Sequence, residues 1–291
     1  MKISVIIPVL NERGALPATI AALRACRGSA DQMASPSVPS EISASQTGAS
    51  KVAISEIIVS DGGSSDGTAD WVRAQPDLVL VNSARGKGPQ LNAGAARATG
   101  DVLLFLHADC ALSQAALNAL HLALCGAARS CPQVSSPKLS SPKLSAAGLA
   151  APHFSVSKPL GGAFYLRFAE SHPRALRLVS WGINLRARLR GSATGDQGIF
   201  VRRDVFQSIG GAPDWPLFED VELVRRIKQA GEFVVLKTPL TVSGRRYIEH
   251  GVLRTALLIY SLRFAYWLGV PPQRLKEWFR DARGKEKKSE L

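Results

Sequence analysis

Paired cysteines are missing from this chain. Its four cysteines, Cys26, Cys110, Cys125 and Cys131, include no CxxC pair, which argues against a zinc site or a dithiol redox motif. Their scatter fits a reducing cytoplasm. A long unbroken apolar run is missing too. The stretch from Val5 to Leu10 is too short for a signal peptide, and no small-residue cleavage site follows it. Near the other end, GVLRTALLIYSLRFAYWLGV is interrupted by Arg254 and Arg263, which makes it a poor membrane span. There is no GxGxxG fingerprint and no P-loop, so neither a dinucleotide-binding fold nor a P-loop ATPase is supported. Acidic residues are in deficit, with 23 Asp and Glu against 36 Lys and Arg, a net charge of +13. That balance favours anionic partners. Nucleic acid is not expected among them, because no basic segment interleaved with aromatics and no recognition module appears.

What is present is an apolar fraction of 46% in 291 residues, enough for one large α/β domain or two small ones. Two segments rich in Ser, Ala and Pro, about 27–51 and 129–158, interrupt it. The second holds the tandem SPKLSSPKLS. Both read as disordered insertions, because such compositions bury too little apolar surface to order themselves. Without them the first half alternates strand and helix. KISVIIPVL, SEIIVSDGG, LVLVNS and DVLLFLHADC read as strands. ALPATIAALRAC, SSDGTADWVRAQ, PQLNAGAARATG and SQAALNALHLALC read as helices. A Ser or Asp caps the second of these helices, and Gly100 closes the third. Near-continuous Ile, Val and Leu runs indicate a mostly parallel sheet covered on both faces.

In such sheets a ligand lies beyond the C-terminal strand ends. Three polar tips converge there: Pro8 to Glu12, Asp61-Gly62-Gly63 and His107-Ala108-Asp109. Asp109 suits a hard divalent cation shared with a diphosphate, or caps the following helix, or is a turn aspartate. Asp61 is a ribose or base partner, or a turn residue. Arg85 and Lys87 precede a helix N-terminus and suit a phosphate, or form a solvated basic turn. In the second half Glu219 and Asp220 open an amphipathic helix. They serve as helix-start acids or as a general base.

Taken in order, VIIPVLNE, EIIVSDGGSSDGT, GKGPQLNAGAARATGDVLLFLHAD, GGAFYLRF, GDQGIFVRRDVFQSIGG and FEDVELVRRIKQAG resemble the family 2, GT-A-type glycosyltransferases. The FLHAD, GGAF and GDQGIF pieces look most like the bacterial subgroup called rSAM/selenodomain-associated transferase 2. The resemblance implies a GT-A domain over 1–246, with a Rossmann-like, mostly parallel sheet flanked by helices. A C-terminal helical extension with a basic tail follows over 247–291. It implies transfer of a sugar from a nucleoside diphosphate sugar to an acceptor hydroxyl, with inversion and with Mn²⁺ or Mg²⁺. Pro8 and Glu12 would lie against the nucleotide and Asp61 on the base or ribose. Arg85 and Lys87 then belong to the same donor site. Asp109 matches the metal-binding aspartate of the family's DxD motif, and Asp220 its general base. Gln197, Arg202 and Arg203 would lie near the donor or acceptor pocket.

His107 departs from the family pattern, standing where the first aspartate of DxD is usual. It is read as a ribose contact, as a metal ligand favouring Mn²⁺, or as the mark of a repurposed protein. A sugar-nucleotide-binding protein without transfer activity, or a nucleotidyltransferase, is the alternative function.

On the acceptor side, residues 167–190 carry six arginines against one glutamate and read as a helix flanking the acceptor pocket or a solvated basic face. Leu253, Leu257, Tyr260, Phe264, Trp267 and Leu268 fall on one helical face. That face packs on the catalytic domain, or lies in a membrane interface with help from Arg263 and the tail RGKEKK. Relatives that glycosylate lipid-linked or carotenoid acceptors make such an acceptor an expectation. The expected location is cytoplasmic, peripheral at the inner face of the cell membrane.

Overall fold

The apolar runs of the first half become the centre of one eight-stranded sheet in a computed structural model, which describes residues 1–31, 53–125, 158–169 and 173–289. β1 (Lys2–Val9) pairs in parallel with β2 (Ala53–Asp61) on one side and with β4 (Val102–Phe105) on the other. β3 (Leu78–Asn82) adds to β2 in parallel and forms the edge. The covering helices are α1 (Leu16–Asp31), α2 (Thr68–Arg73), α3 (Lys87–Arg97) and α4 (Gln114–Cys125).

The second half extends the sheet past β4. β7 (Ile199–Arg202) runs antiparallel to β4, and β6 (Gly161–Phe168) antiparallel to β7. β8 (Phe233–Val242) returns parallel to β6, and the two-residue β5 (Cys110–Ala111) closes the edge antiparallel to β8. The strand order is β3-β2-β1-β4-β7-β6-β8-β5. The sheet is therefore mixed, parallel in its first half and largely antiparallel beyond β4.

Alternation along β1 sends Ile3, Val5 and Ile7 to one face, against Leu16 and Ile20 of α1 and Leu117 and Leu120 of α4. Ile6 faces the other way, with Leu91 and Ala95 of α3. α6 (Arg203–Ser208) and α7 (Glu219–Ala230) complete that second layer through Val205, Leu223 and Ile227. α5 (Ala175–Arg190) covers β6 through Leu176 and Ile183. After the short α8 (Arg245–Glu249), α9 (Val252–Trp267) and α10 (Pro272–Ser289) pack around Phe218, with Leu262 and Leu275 buried beside it.

Local readings shift at several points. β4 stops at Phe105, so His107 to Asp109 form a turn rather than a strand tip, and Cys110 begins the separate β5. α3 ends at Ala98 in extended backbone, not at Gly100. The Gly100 amide instead donates to the Ser4 hydroxyl at 2.9 Å. Gly67 in left-handed backbone caps α2, and Asp66 accepts from the Thr68 amide. α1 runs on through residues 27–31, where Arg27 donates to the Ile54 and Ser55 carbonyls. The rest of the 27–51 segment, and 129–158 save its last residue, lie outside the described residues.

Candidate functional site

The turn after β4 is pinned by its backbone. The Thr19 hydroxyl donates to the Ala108 carbonyl at 2.6 Å. The Cys110 amide donates to the His107 carbonyl, and the Ser243 amide to the Asp109 carbonyl, both at 3.2 Å. With the main chain tied down, the His107 and Asp109 side chains line a cavity of about 360 Å³. Ser113, not Asp109, caps α4 by accepting from the Ala116 amide. The capping explanation for Asp109 is thereby removed.

A second and larger cavity, about 720 Å³, lies over the ends of β1 and α3 and is lined by Pro8, Glu12, Arg85 and Lys87. Gln90 fixes the start of α3 beneath the strand tips by donating to the carbonyls of Val9 and Ser60. This brings Arg85 and Lys87 to the same rim. Asp61 ends β2 next to Val9, but its carboxylate is taken up by its own loop. It accepts from the Gly63 and Ser64 amides and from the Ser64 hydroxyl.

Lys87, Thr194, Asp220 and Arg263 line both cavities. Lys87 Nζ lies 3.4 Å from His107 Nε2. An ammonium can only donate, so Nε2 accepts and the ring proton sits on Nδ1. Asp220 is held from two sides: its Oδ2 accepts from the Gly195 amide and its Oδ1 from the Val221 amide, each at 2.7 Å. A Cβ at Gly195 would come 2.6 Å from His107 Nε2, so the imidazole keeps this position only while residue 195 carries no side chain.

Glu219, beside Asp220, is buried and faces Lys87 at 3.9 Å. Burial, reinforced by the Asp220 charge, pushes its carboxyl up to about 7 despite the opposing pull of Lys87.

Three groups in the smaller cavity were not singled out by the sequence. Burial raises the Asp196 carboxyl above the usual carboxylate range, with Asp220 adding to the effect and the Thr194 hydrogen bond opposing it. Arg186 and Arg263 are lowered by burial, Arg263 to about 10, where the Arg186 charge adds to the shift. Asp196 Oδ1, Arg186 Nε and Arg263 Nη1 are buried without a hydrogen-bond partner among the described residues. Asp196 lies in the Gly-flanked GDQG, beside Gln197.

Gln197 is fully buried and structural, donating to the Phe164 carbonyl and accepting from Thr194. Arg202 pairs with Asp204, and Arg203 donates to the Ala98 carbonyl. Arg202 pairs in register with Val102 at the start of β4, the end of that strand away from His107. Neither arginine lines the cavities. Of residues 167–190, the first two belong to β6, and α5 does flank the smaller cavity through Val179, Ile183 and Arg186.

Residues 4–135 match the family model for glycosyl transferase family 2. This domain contains Pro8, Glu12, Asp61, Arg85, Lys87, His107 and Asp109. Solved structures similar to the chain include glycosyltransferases of the GT-A fold. The mannosyltransferase PcManGT from Pyrobaculum calidifontis, in complex with GDP-Man and Mn²⁺, aligns with a TM-score of 0.52 at 18% identity, over 94% of this chain and 67% of that one. S. aureus TarS 1–349 aligns with a TM-score of 0.51 at 14% identity, over 88% of this chain and 64% of that one. The same protein in complex with UDP-GlcNAc aligns with the same TM-score at 14% identity, over 84% of this chain and 58% of that one. The chain thus spans less than two thirds of the TarS structures. No curated protein matches it. These likenesses show the GT-A fold, and the match to the family model is confined to residues 4–135.

Proposed function

We propose that the protein moves a sugar from a nucleoside diphosphate sugar to an acceptor hydroxyl with inversion at the anomeric carbon. The observation that carries this reading is Asp220, whose carboxylate stands where the larger and smaller cavities meet. In this reading the larger cavity takes the nucleotide, against Pro8 and Glu12. Arg85 and Lys87 offset the diphosphate charge at the start of α3. Asp61 holds the loop beside the nucleotide rather than the nucleotide itself.

The acceptor enters from the smaller cavity. Its oxygen attacks the anomeric carbon from the face opposite the diphosphate. The new carbon–oxygen bond forms as the bond to the diphosphate breaks, and the electron pair leaves with the phosphate. Asp220 takes the acceptor proton. Two amide hydrogen bonds fix that carboxylate for the transfer. The buried, unsatisfied nitrogens of Arg186 and Arg263 suit an anionic group on the acceptor side.

A divalent cation fits the donor set in a limited way. Among the described residues no group of three His, Cys, Asp or Glu side chains is arranged to hold a metal. Asp109 and the unsatisfied Oδ1 of Asp196 line the smaller cavity and not the larger one assigned to the nucleotide, so an ion held by them would meet the diphosphate only where the two cavities join, at Lys87 and Asp220. That sparse set suits Mg²⁺ or Mn²⁺, which take much of their coordination from water and substrate phosphates. When bound, such an ion neutralises charge on the departing diphosphate.

Calorimetric titration with UDP, GDP, dTDP and CDP, with and without Mn²⁺, tests the reading. One nucleotide binds, binds more tightly with Mn²⁺, and loses that gain in Asp109→Ala. Asp220→Asn keeps nucleotide affinity and loses transfer about 10²- to 10⁴-fold. Failure of all four nucleotides to bind folded protein would overturn the proposal.

A further inference from the structure

Thirteen large hydrophobic residues are exposed among the described residues; nine of them sit on α5 and α9, and a tenth, Leu268, directly follows α9. The apolar stripe of α9 with its C-cap is Leu253, Leu257, Tyr260, Phe264, Trp267 and Leu268, exposed between 42% and 74%. The stripe that periodicity would pack against the core faces outward, and Leu262 on the opposite side is the buried residue. α5 carries a second stripe, Leu178, Trp181, Leu185 and Leu189, also exposed. The spacing i, i+3, i+7, i+11 puts these four on one helical face.

The two stripes adjoin. The Tyr260 hydroxyl lies over Gly182 of α5, 3.2 Å from where a Cβ would stand. Arg263 of α9 donates to Ser192 just past the end of α5 at 3.1 Å.

We propose that the joined faces of α5 and α9 dock the protein flat onto an anionic lipid surface. Charge selects this occupant. Neither helix contains an acidic residue, while α5 exposes Arg177, Arg188 and Arg190 and α9 exposes Arg254. Arg177 and Arg188 are exposed and each sits one position before a stripe leucine, placed to extend along the apolar face with the guanidinium at headgroup level. A second copy would bring like charge against like charge at the rim, whereas anionic headgroups complement it. No described helix is long and apolar enough to cross a membrane, so the contact is interfacial.

The same two helices supply Ile183, Arg186, Leu258 and Arg263 to the smaller cavity. Docking therefore brings that cavity to the lipid surface. An acceptor presented there as part of a lipid is a consequence that rests on the transfer reading. The docking itself does not rest on it.

The test is flotation of the full chain with vesicles of phosphatidylcholine plus phosphatidylglycerol, and with phosphatidylcholine alone, at low and high salt. Two variants accompany it, Leu257→Glu/Trp267→Glu on α9 and Trp181→Glu/Leu189→Glu on α5. All four positions are exposed, and unchanged circular dichroism and Tm establish that the variants fold. The expected result is recovery with the mixed vesicles at low salt, falling about tenfold or more in each variant. Recovery only in the soluble fraction overturns docking. Equal binding to neutral vesicles at high salt overturns the role of the arginine rim, and loss in only one variant overturns the joined face. A dimer that the variants dissociate, with no vesicle binding by the parent, assigns the face to a second copy and overturns the proposal. None of these outcomes depends on nucleotide binding, so docking and transfer fail separately.

Discussion

Glu219 and Asp220 are adjacent carboxylates with different surroundings. Asp220 is satisfied by two backbone amides, whereas Glu219 is buried and held up to about 7 by desolvation and by its neighbour's charge. The linkage has a definite sign. An acid whose folded pKa lies above its unfolded value binds more protons in the folded state. Its favourable contribution is complete below the unfolded pKa and is lost as pH rises through the folded one. For Glu219 that window runs from its ordinary value of 4.5 to about 7. Glu219→Gln removes the titration, so thermal melts should show little difference from the parent at about pH 4 and a higher Tm at about pH 8. Each kcal/mol recovered moves Tm by roughly 2–4 °C. An equal Tm shift at both pH values would mean that the effect is packing rather than charge.

The residues of the first half were legible because their spacing is local. Pro8 sits at the end of β1, Lys87 at the start of α3, and His107 and Asp109 in the turn after β4, and strand ends can be read from hydrophobic runs. Asp196, Arg186 and Arg263 were not legible. They come from three separate elements and become one charged cluster only through the antiparallel half of the sheet and α9.

At the scale of elements, α7 begins with a cost. Phe218 has φ 64°, a left-handed conformation that costs a bulky residue about 1–3 kcal/mol. It is held there by α9 and α10. Phe218 clusters with the buried Leu262 and Leu275, and the Tyr266 ring lies 5.1 Å away. The C-terminal helices thus fix the peptide that leads into Glu219 and Asp220. Leu275 is fully buried, so Leu275→Ala should cost about 2–5 kcal/mol. It should also lower turnover at temperatures where the variant is still folded, with nucleotide affinity nearly unchanged. Differential scanning calorimetry and kinetics on one preparation separate the two effects. Turnover equal to the parent's while Tm falls would show that Phe218 holds its conformation without α10.

Element boundaries were readable within about two residues where Ile, Val and Leu dominate, as in β1 to β3, whereas β4 stops at Phe105, short of the His107-Ala108-Asp109 turn. Boundaries were not readable in β6, which opens with Gly161 and Gly162 packed under Phe200 and the Val234 carbonyl. Nor were they in β8, whose FVVLKTPLTV mixes Lys, Thr and Pro into the strand. The orientation of α9 was lost for a related reason. A helix that is apolar on most sides does not reveal by periodicity which side is covered.

Over the whole molecule, a net charge of +13 surrounds a cavity edged by Arg85, Lys87 and Arg263. The field of the full chain and the local cations act in the same direction on an anionic donor. They differ in range. Between about 0.01 M and about 1 M salt the screening length contracts from about 30 Å to about 3 Å. The distant charges are then silenced, while pairs in direct contact keep most of their attraction. On the proposed reading, with Lys87 and Arg85 against the phosphates, affinity for a nucleoside diphosphate should therefore fall by about tenfold across that range and then level off. The matching uncharged nucleoside should bind weakly with almost no salt dependence. Titration calorimetry across a salt series distinguishes the two contributions. A decline that continues without levelling would assign the attraction to the global charge and remove the α3 rim as a phosphate site. Equal salt dependence for the uncharged nucleoside would place the effect on the fold rather than on the ligand.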